Sequence, residues 1–353
     1  MEPHLQWFQD FRKTMPIKFA AIGLNHSHIY AQVDCLLREG AELVAFHAPE
    51  DDLAALFVEK FPGARRVADR RAILEDPAIA LVLTAAILDE RAGIAVEAMR
   101  HGKDVMSDKP GMTTLEQLGE VKRVQAETGR IYSVCYSEHF QTRSTVKAGE
   151  LVAAGAIGQV VNTVGIGPHA IRKNSRPDWF YDRSRYGGIL CDTGSHQCEQ
   201  FLFFAGTDTD AEVISATVSN RSVPDRPGLQ DVGDMHLRTP TVTGYVRVDW
   251  LTPDGLPTWG DGRLTILGTE GYIELRKYID IAGRPGKDHL FLVDRKGVQH
   301  VDCSDVELPY GRQLIADVLN RTETAMPQAR AFKAMELALT AQKMAEVGTV
   351  WQQ

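Results

Sequence analysis

The segment G-G-I-L-C-D-T-G-S-H-Q-C-E, residues 187–199, places Asp192 and His196 four residues apart behind a glycine pair. On a helix that spacing puts a carboxylate and an imidazole on one face, one turn apart. A carboxylate beside a histidine fixes its tautomer and supports its charged form, so the imidazole becomes a usable proton acceptor near neutral pH. The same residues also suit a helix start with Asp192 near the cap and His196 half-buried. A second group is His26, His28 and His47. Three imidazoles meeting at adjacent strand ends can ligate zinc, which leaves a metal-dependent hydrolase or lyase open as an alternative.

Such groups need elements to carry them. Apolar runs at 17–22, 41–46, 79–86, from 105, and at 131–135 alternate with helical patterns up to 37 and at 50–61, 90–100 and 115–128. Apolar, non-alternating strands separated by helices predict a parallel sheet covered on both faces. Ligands bind such sheets at the carboxyl ends of the strands. After residue 140 the pattern changes. Strand-like segments at 160–165, 211–220, 242–250, 263–267, 272–275 and 290–293 follow one another, and only 144–154, 192–205 and 309–346 look helical. Successive strands predict a largely antiparallel sheet and an α+β second domain. The stretch 220–240, with Pro224, Pro227, Gly228, Gly233 and Pro240, is the longest irregular piece expected.

The turn after the first strand is where a dinucleotide would lie, its pyrophosphate at a helix N-terminus. The usual G-x-G-x-x-G is here G-L-N-H-S-H, from Gly23 to His28. Asn25 and His28 replace the second and third glycines. Asn tolerates positive φ, so the turn is expected to survive. The acid that normally holds the ribose at the end of the second strand is displaced to Glu50, Asp51 and Asp52, after Phe46-His47-Ala48-Pro49.

The totals set limits. The chain has 353 residues, enough for two domains, with 44% hydrophobic and 24% charged residues. A net charge of -8 argues against a nucleic-acid partner. No run approaches the ~20 apolar residues of a membrane helix, and MEPHLQWFQDFRKT lacks the apolar core of a secretory signal. Five scattered cysteines without a C-x-x-C fit reduced thiols and a cytoplasmic setting.

Five motifs in order resemble the Gfo/Idh/MocA oxidoreductases over roughly residues 16–348. H-G-K-D-V-M-S-D-K-P ends in Asp108, Lys109 and Pro110, where the family has E-K-P. V-C-Y-S-E-H-F at 134–140 carries His139 where arginine is common, and G-A-I-G-Q-V at 155–160 matches a turn opening the second domain. Gly187, Gly188, Asp192, Gly194 and His196 fit G-G-G-x-x-x-D-x-G-x-H-x-x-D, with Glu199 as the last acid, and L-G-T-E-G-Y-I-E-L at 267–275 is similar to the family's G-T-x-G segment. The family's T-P-x-x-x-H turn is replaced by residues 86–91, A-I-L-D-E-R.

The resemblance implies an α/β protein: a Rossmann domain with a doubly wound parallel sheet at 16–138, then an α+β substrate and oligomerisation domain with an open, largely antiparallel sheet at 139–348. It implies NAD or NADP as hydride carrier, a sugar, cyclitol or related polyol as substrate, and a homodimer or homotetramer. The coenzyme surface expected is Gly23, Asn25, His26, Ser27, His28, His47, Ala86 and Asp108 to Pro110. His196 is then the general acid/base. Asp192 would orient it and meet a substrate hydroxyl, and Lys109, aimed by Pro110, would stabilise developing alkoxide charge.

Substrate contacts are expected from His139, His169, Arg172, Trp179 and Tyr181 as well as Asp192. Residues 168–186 are basic in an acidic protein. That fits either an acidic substrate held by arginine or salt bridges at a subunit contact. A ligand-binding member without turnover is the remaining alternative, although a binding module needs no general base.

Overall fold

Buried apolar strands and the helices between them build the first half of the molecule, as seen in a computed structural model that describes residues 16–348. The segment MEPHLQWFQDFRKT lies outside the described residues. Six strands, β1 (Lys18–Ile22), β2 (Glu42–His47), β3 (Arg65–Arg66), β4 (Ile79–Thr84), β5 (Asp104–Asp108) and β6 (Tyr132–Cys135), form one sheet in the order β3-β2-β1-β4-β5-β6. Every pairing in it is parallel. Helices α1 (His28–Arg38), α2 (Asp51–Lys60), α3 (Arg71–Leu74), α4 (Arg91–Arg100) and α5 (Leu115–Thr128) connect the strands. Helix α5 shows how sequence sets the boundaries. Thr114 accepts a hydrogen bond from the Gln117 amide at 3.1 Å, and Gly129 closes the other end at φ 62°. The strand order reverses between β1 and β4, which opens a crevice at their carboxyl ends.

The second half begins with α6 (Ser137–Phe140) and α7 (Arg143–Ala153) and contains an eight-stranded sheet. Its strands are β7 (Val160–Pro168), β8 (Glu212–Ser219), β9 (Val232–Arg238), β10 (Thr243–Asp249), β11 (Arg263–Gly268), β12 (Gly271–Arg276), β13 (His289–Asp294) and β14 (Gly297–Val301). The order is β14-β13-β12-β11-β7-β10-β9-β8, antiparallel except for the parallel β7–β10 pair. Two short helical pieces, α8 (Arg183–Tyr186) and α9 (Ile189–Asp192), lead into the full helix α10 (Gly194–Ala205). The chain ends in α11 (Tyr310–Asn320) and α12 (Gln328–Gly348).

Helix α12 joins the two halves. It packs against β8, α9 and α10 of the second half and against α5 and β6 of the first. Its Gln328 carboxamide accepts from the Tyr132 amide at 2.9 Å and donates to the Tyr132 carbonyl at 3.0 Å. Fourteen residues further on, Gln342 accepts from the Leu190 amide at 3.0 Å.

Several expectations are corrected. The stretch 220–240 contains β9, in which Gly233, Met235 and Leu237 face the core. Gly233 is a packing glycine: a Cβ there would lie 2.7 Å from Ile189 Cγ2 and 2.9 Å from Leu190 Cδ2. The helix expected over 192–205 is two pieces that meet at Thr193. The C-terminal helix is interrupted where Arg321 takes φ 58°. Strands β3 and β14 carry no apolar alternation because both are exposed sheet edges.

Candidate active site

The turn after β1 sits between its two neighbours. The Gly23 amide donates to the His47 carbonyl at 2.9 Å, and the Ala85 amide donates to the Gly23 carbonyl at 3.2 Å. Gly23 has φ +80°, and a Cβ there would fall 2.4 Å from the Ala86 Cβ, so no other residue fits. Asn25 and His28 take ordinary backbone angles, so tolerance of positive φ is not what qualifies Asn25. Its side chain instead donates to Glu50 Oε1 at 2.8 Å. The displaced acid thus reaches back to the turn, and its Oε2 is buried with no partner.

His26 and His28 pack edge to face, ring centroids 4.1 Å apart, beside Asp108 at the end of β5. His28 Nδ1 is 3.0 Å from Asp108 Oδ1 and His26 Nδ1 is 3.5 Å from Oδ2. Gln32 also donates to Oδ1 at 3.0 Å, and the fully buried Arg91 lies 3.1 Å from Oδ2. Burial alone would raise the Asp108 pKa, but His28 and Arg91 hold it far below the usual carboxylate range. Burial and the neighbouring His28 push His26 well below 6.5.

The ligand-type atoms of His26, His28 and Asp108 lie within 4.8 Å of one another. The trio anticipated from sequence is corrected, because His47 Nδ1 is committed to the Val67 carbonyl at 3.1 Å. The third member is Asp108, whose charge the Arg91 guanidinium already offsets, so the cluster is a buried ion pair with His28 and Gln32 hydrogen-bonded to Oδ1.

Arg91 occupies the place of the family histidine and does different work there. Its Nε donates to the Ala86 carbonyl at 2.8 Å, and its Nη1 donates to the carbonyls of Lys109 and, at 3.1 Å, Pro110. It therefore staples the turn after β4 to the turn after β5, where the Lys109–Pro110 peptide is cis. Lys109, 3% exposed, extends to Asp192 Oδ1 at 2.8 Å.

Asp192 arrives through the glycine pair. Gly187 and Gly188 have φ +83° and +89°, and a Cβ on Gly188 would collide with the Gln342 carboxamide at 2.3 Å. Asp192 pairs with Lys109 at 2.8 Å, and no hydrogen bond links it to His196 among the described residues. The expectation that Asp192 orients His196 is thereby corrected.

His196 is 1% exposed, its Nδ1 has no partner among the described residues, and its ring meets Tyr136 edge to face at 5.9 Å. Burial drives its pKa well below 6.5; Glu138 opposes the shift, while Lys109 adds to it. The imidazole is therefore neutral at pH 7, which corrects the expectation that a carboxylate supports its charged form. Glu138 lies behind it, fully buried, accepting from Gln197 at 2.8 Å and from Lys277 at 2.9 Å.

These groups line one cleft of about 500 Å³ between the halves. Of the residues expected from sequence, Asn25, His26, Ser27, His28, Lys109, His169, Arg172, Trp179, Asp192 and His196 reach it. His169 stands against Trp250 and Trp259, with centroids at 5.2 and 4.6 Å. Gly23, Ala86, Asp108 and Pro110 are not among its lining residues, and three more go elsewhere. His47 bonds to Val67 as above. His139 is buried, with Nδ1 3.0 Å from the Glu199 carboxylate. Tyr181 donates to the Lys173 carbonyl at 3.1 Å and lies under Arg226. Sequence reasoning marked Glu50 only as a displaced acid and Arg91 only as the replacement of a family histidine, and it missed Trp250 and Trp259. Arg176 stood out only as one of several arginines in the basic stretch.

The residues present suit a dinucleotide. The orphaned Glu50 Oε2, next to Asn25 of the cleft wall, is the kind of acceptor a ribose diol needs, and His196 and Lys109 line the same cleft.

Comparison with known proteins agrees with the architecture. Residues 17–136 match the oxidoreductase family with an NAD-binding Rossmann fold, and residues 145–274 match the GFO/IDH/MocA C-terminal domain. The structure of a candidate oxidoreductase from Erwinia carotovora atroseptica SCRI1043 superposes with a TM-score of 0.90 at 45% identity, covering 93% of this chain and 98% of that one. Scyllo-inositol 2-dehydrogenase (NAD(+)) of Bacillus subtilis is 24% identical over 264 residues, 73% of either chain. D-xylose dehydrogenase of Paenarthrobacter nicotinovorans is 26% identical over 143 residues, 39% of this chain and only 37% of its own length. With both halves matched in order and a close full-length structural relative, the chain belongs to the Gfo/Idh/MocA oxidoreductase family.

Proposed function

We propose that this protein is an NAD(P)-dependent dehydrogenase or reductase acting on a CH–OH or carbonyl carbon of a sugar, cyclitol or related polyol. Residues 16–138 serve as the coenzyme lobe and 139–348 as the substrate lobe. The observation that carries the reading is the meeting of His196 with the Lys109–Asp192 pair in the cleft beside the Gly23 turn. The dehydrogenase names borne by the relatives point the same way.

When bound, the nicotinamide supplies the hydride acceptor or donor. The remaining work belongs to the chain. Neutral His196 takes the hydroxyl proton as the alcohol is oxidised and returns it in the reverse direction. The Lys109 ammonium stabilises the oxygen as it gains alkoxide character. Asp192 holds Lys109 in place and keeps its charge compensated in a buried site. Glu50 beside Asn25 holds the ribose, and its charge favours NAD over NADP by repelling a 2′-phosphate. The cross-strand neighbours Leu267 and Tyr272, both exposed on one sheet face, support assembly of two or four copies through that face.

Fluorescence titration with NADH and NADPH tests the core of the proposal. Micromolar binding of at least one is expected, tighter for NADH. If neither binds, the dehydrogenase reading is wrong. A panel of polyols with the oxidised coenzyme then identifies the substrate.

A further inference from the structure

The charge of the cleft is one-sided. Lys109, Arg172 and Arg176 line it, against the carboxylate of Asp192 alone among the described residues. This occurs in a chain whose net charge is -8. Lys109 and Asp192 compensate each other at 2.8 Å. Apart from that pair, two guanidinium groups face the cleft, both on the segment after β7. Neither is within ion-pairing distance of a carboxylate among the described residues.

Arg176 is not a loose surface side chain. Its Nε donates to the Ile171 carbonyl at 2.9 Å, and Nη2 points to the Ala170 carbonyl at 3.5 Å. The guanidinium carbon lies 4.3 Å from the Phe180 ring centre and 4.9 Å from that of Trp250. Two carbonyls and two aromatic faces thus fix one edge and the orientation of the group, and its remaining N–H donors are left for a ligand. Burial lowers its pKa; the Asp192 charge, beyond ion-pairing distance, opposes the shift, and Arg172 adds to it. Arg172 stands at the exposed rim, held in the left-handed region at φ 49°. Keeping a half-buried cation without an acid partner costs desolvation energy, and a bound anion recovers it.

Building on the dehydrogenase reading, we infer that this wall is a carboxylate subsite centred on Arg176 with Arg172 at its rim, and that the substrate is a polyhydroxy carboxylate of the aldonate or uronate type. The flat, pre-oriented edge of one guanidinium matches a planar carboxylate, which two N–H donors can hold side by side.

Calorimetric titration of the full-length protein with D-glucuronate and D-galactonate, with neutral D-glucose and D-galactose, and with D-glucose 6-phosphate tests the inference. Each is measured with and without reduced coenzyme. An acid is expected to bind at least tenfold more tightly than its neutral counterpart. Arg176→Gln should lose about tenfold or more of affinity for the acid and little for the neutral sugar, and Arg176→Lys should recover part of it. Neutral sugars that bind as tightly as the acids overturn the inference. So does a panel in which no acid binds, tighter binding of the phosphate, or an Arg176→Gln protein with unchanged preference. If Arg176→Gln does not fold, the wild-type ratio and Arg172→Gln decide. Failure of this inference with intact NADH binding leaves the dehydrogenase reading standing, whereas absent NADH binding removes that reading on its own.

Discussion

Neutralising Asp192 isolates the contribution of the buried ion pair. In Asp192→Asn the Lys109 ammonium, 3% exposed, loses the carboxylate 2.8 Å away. At an effective dielectric near 20, two unit charges at that distance attract by about 6 kcal/mol. Breaking a buried pair costs about 3–5 kcal/mol in practice. Asparagine retains a carbonyl acceptor in the same place, so the lower end, about 3 kcal/mol, is expected for the loss of stability in urea unfolding followed by circular dichroism. An ammonium that has lost its anchor also leaves the reacting oxygen unsupported. By the same energy scale, kcat/KM for polyol oxidation should fall by about two orders of magnitude. Replacing both partners, as Lys109→Met/Asp192→Leu, removes the uncompensated charge and should recover most of the stability while leaving turnover lost. An Asp192→Asn protein within about 0.5 kcal/mol of wild type, or a double variant that turns over, would refute the assignment of this pair to both roles.

Five further outcomes are expected. His196→Gln should lower kcat by about 10²–10⁴-fold with coenzyme binding unchanged; a loss below tenfold would remove it as the proton acceptor. Because burial depresses the His196 pKa, the acid limb of oxidation should lie well below pH 6.5, and an inflection at or above 6.5 contradicts its buried, neutral state. The same sign governs stability. His169 is held down to about 4 by burial, and His26 and His196 are also depressed, so the unfolded chain binds more protons below pH 6.5. Unfolding free energy should therefore be flat between about pH 6.5 and 8 and decline from pH 6.5 toward pH 4. Gly23→Ala, with φ +80° and a Cβ 2.4 Å from that of Ala86, should cost about 2 kcal/mol or more in thermal unfolding and weaken NADH binding. Glu50→Gln should raise the Kd of NADH about tenfold, narrow the gap to NADPH and leave kcat intact; an unchanged ratio of the two coenzymes would dissociate Glu50 from the ribose.

How much of this was legible in the sequence depended on whether the signal was local. Strands β1, β2 and β4 announce themselves as apolar runs because both faces are covered. Lys109, Asp192 and His196 stand inside ordered motifs, so their identity was readable, yet their pairing was not. Asp192 turns to Lys109, a contact between residues 83 positions apart that no local spacing announces. Strand β9 was hidden because Gly233 has the composition of a turn and the function of a contact with Ile189 and Leu190. Arg91 read as the loss of a family histidine; that it ties two turns together is a statement about backbone carbonyls, which carry no sequence signature. The aromatic wall is the least legible part, since Trp250 and Trp259 come from segments about seventy residues beyond Trp179 and meet it only in three dimensions.

The helix Gln328–Gly348 gives the cleft a shared hinge pin, with Gln328 fastened to Tyr132 on one side and Gln342 to Leu190 on the other. Recombination between relatives therefore has a natural unit that is not contiguous: a transplanted coenzyme lobe must bring this terminal helix with it. A graft cut simply at the junction near residue 138 would import a lobe whose last strand had lost its clasp.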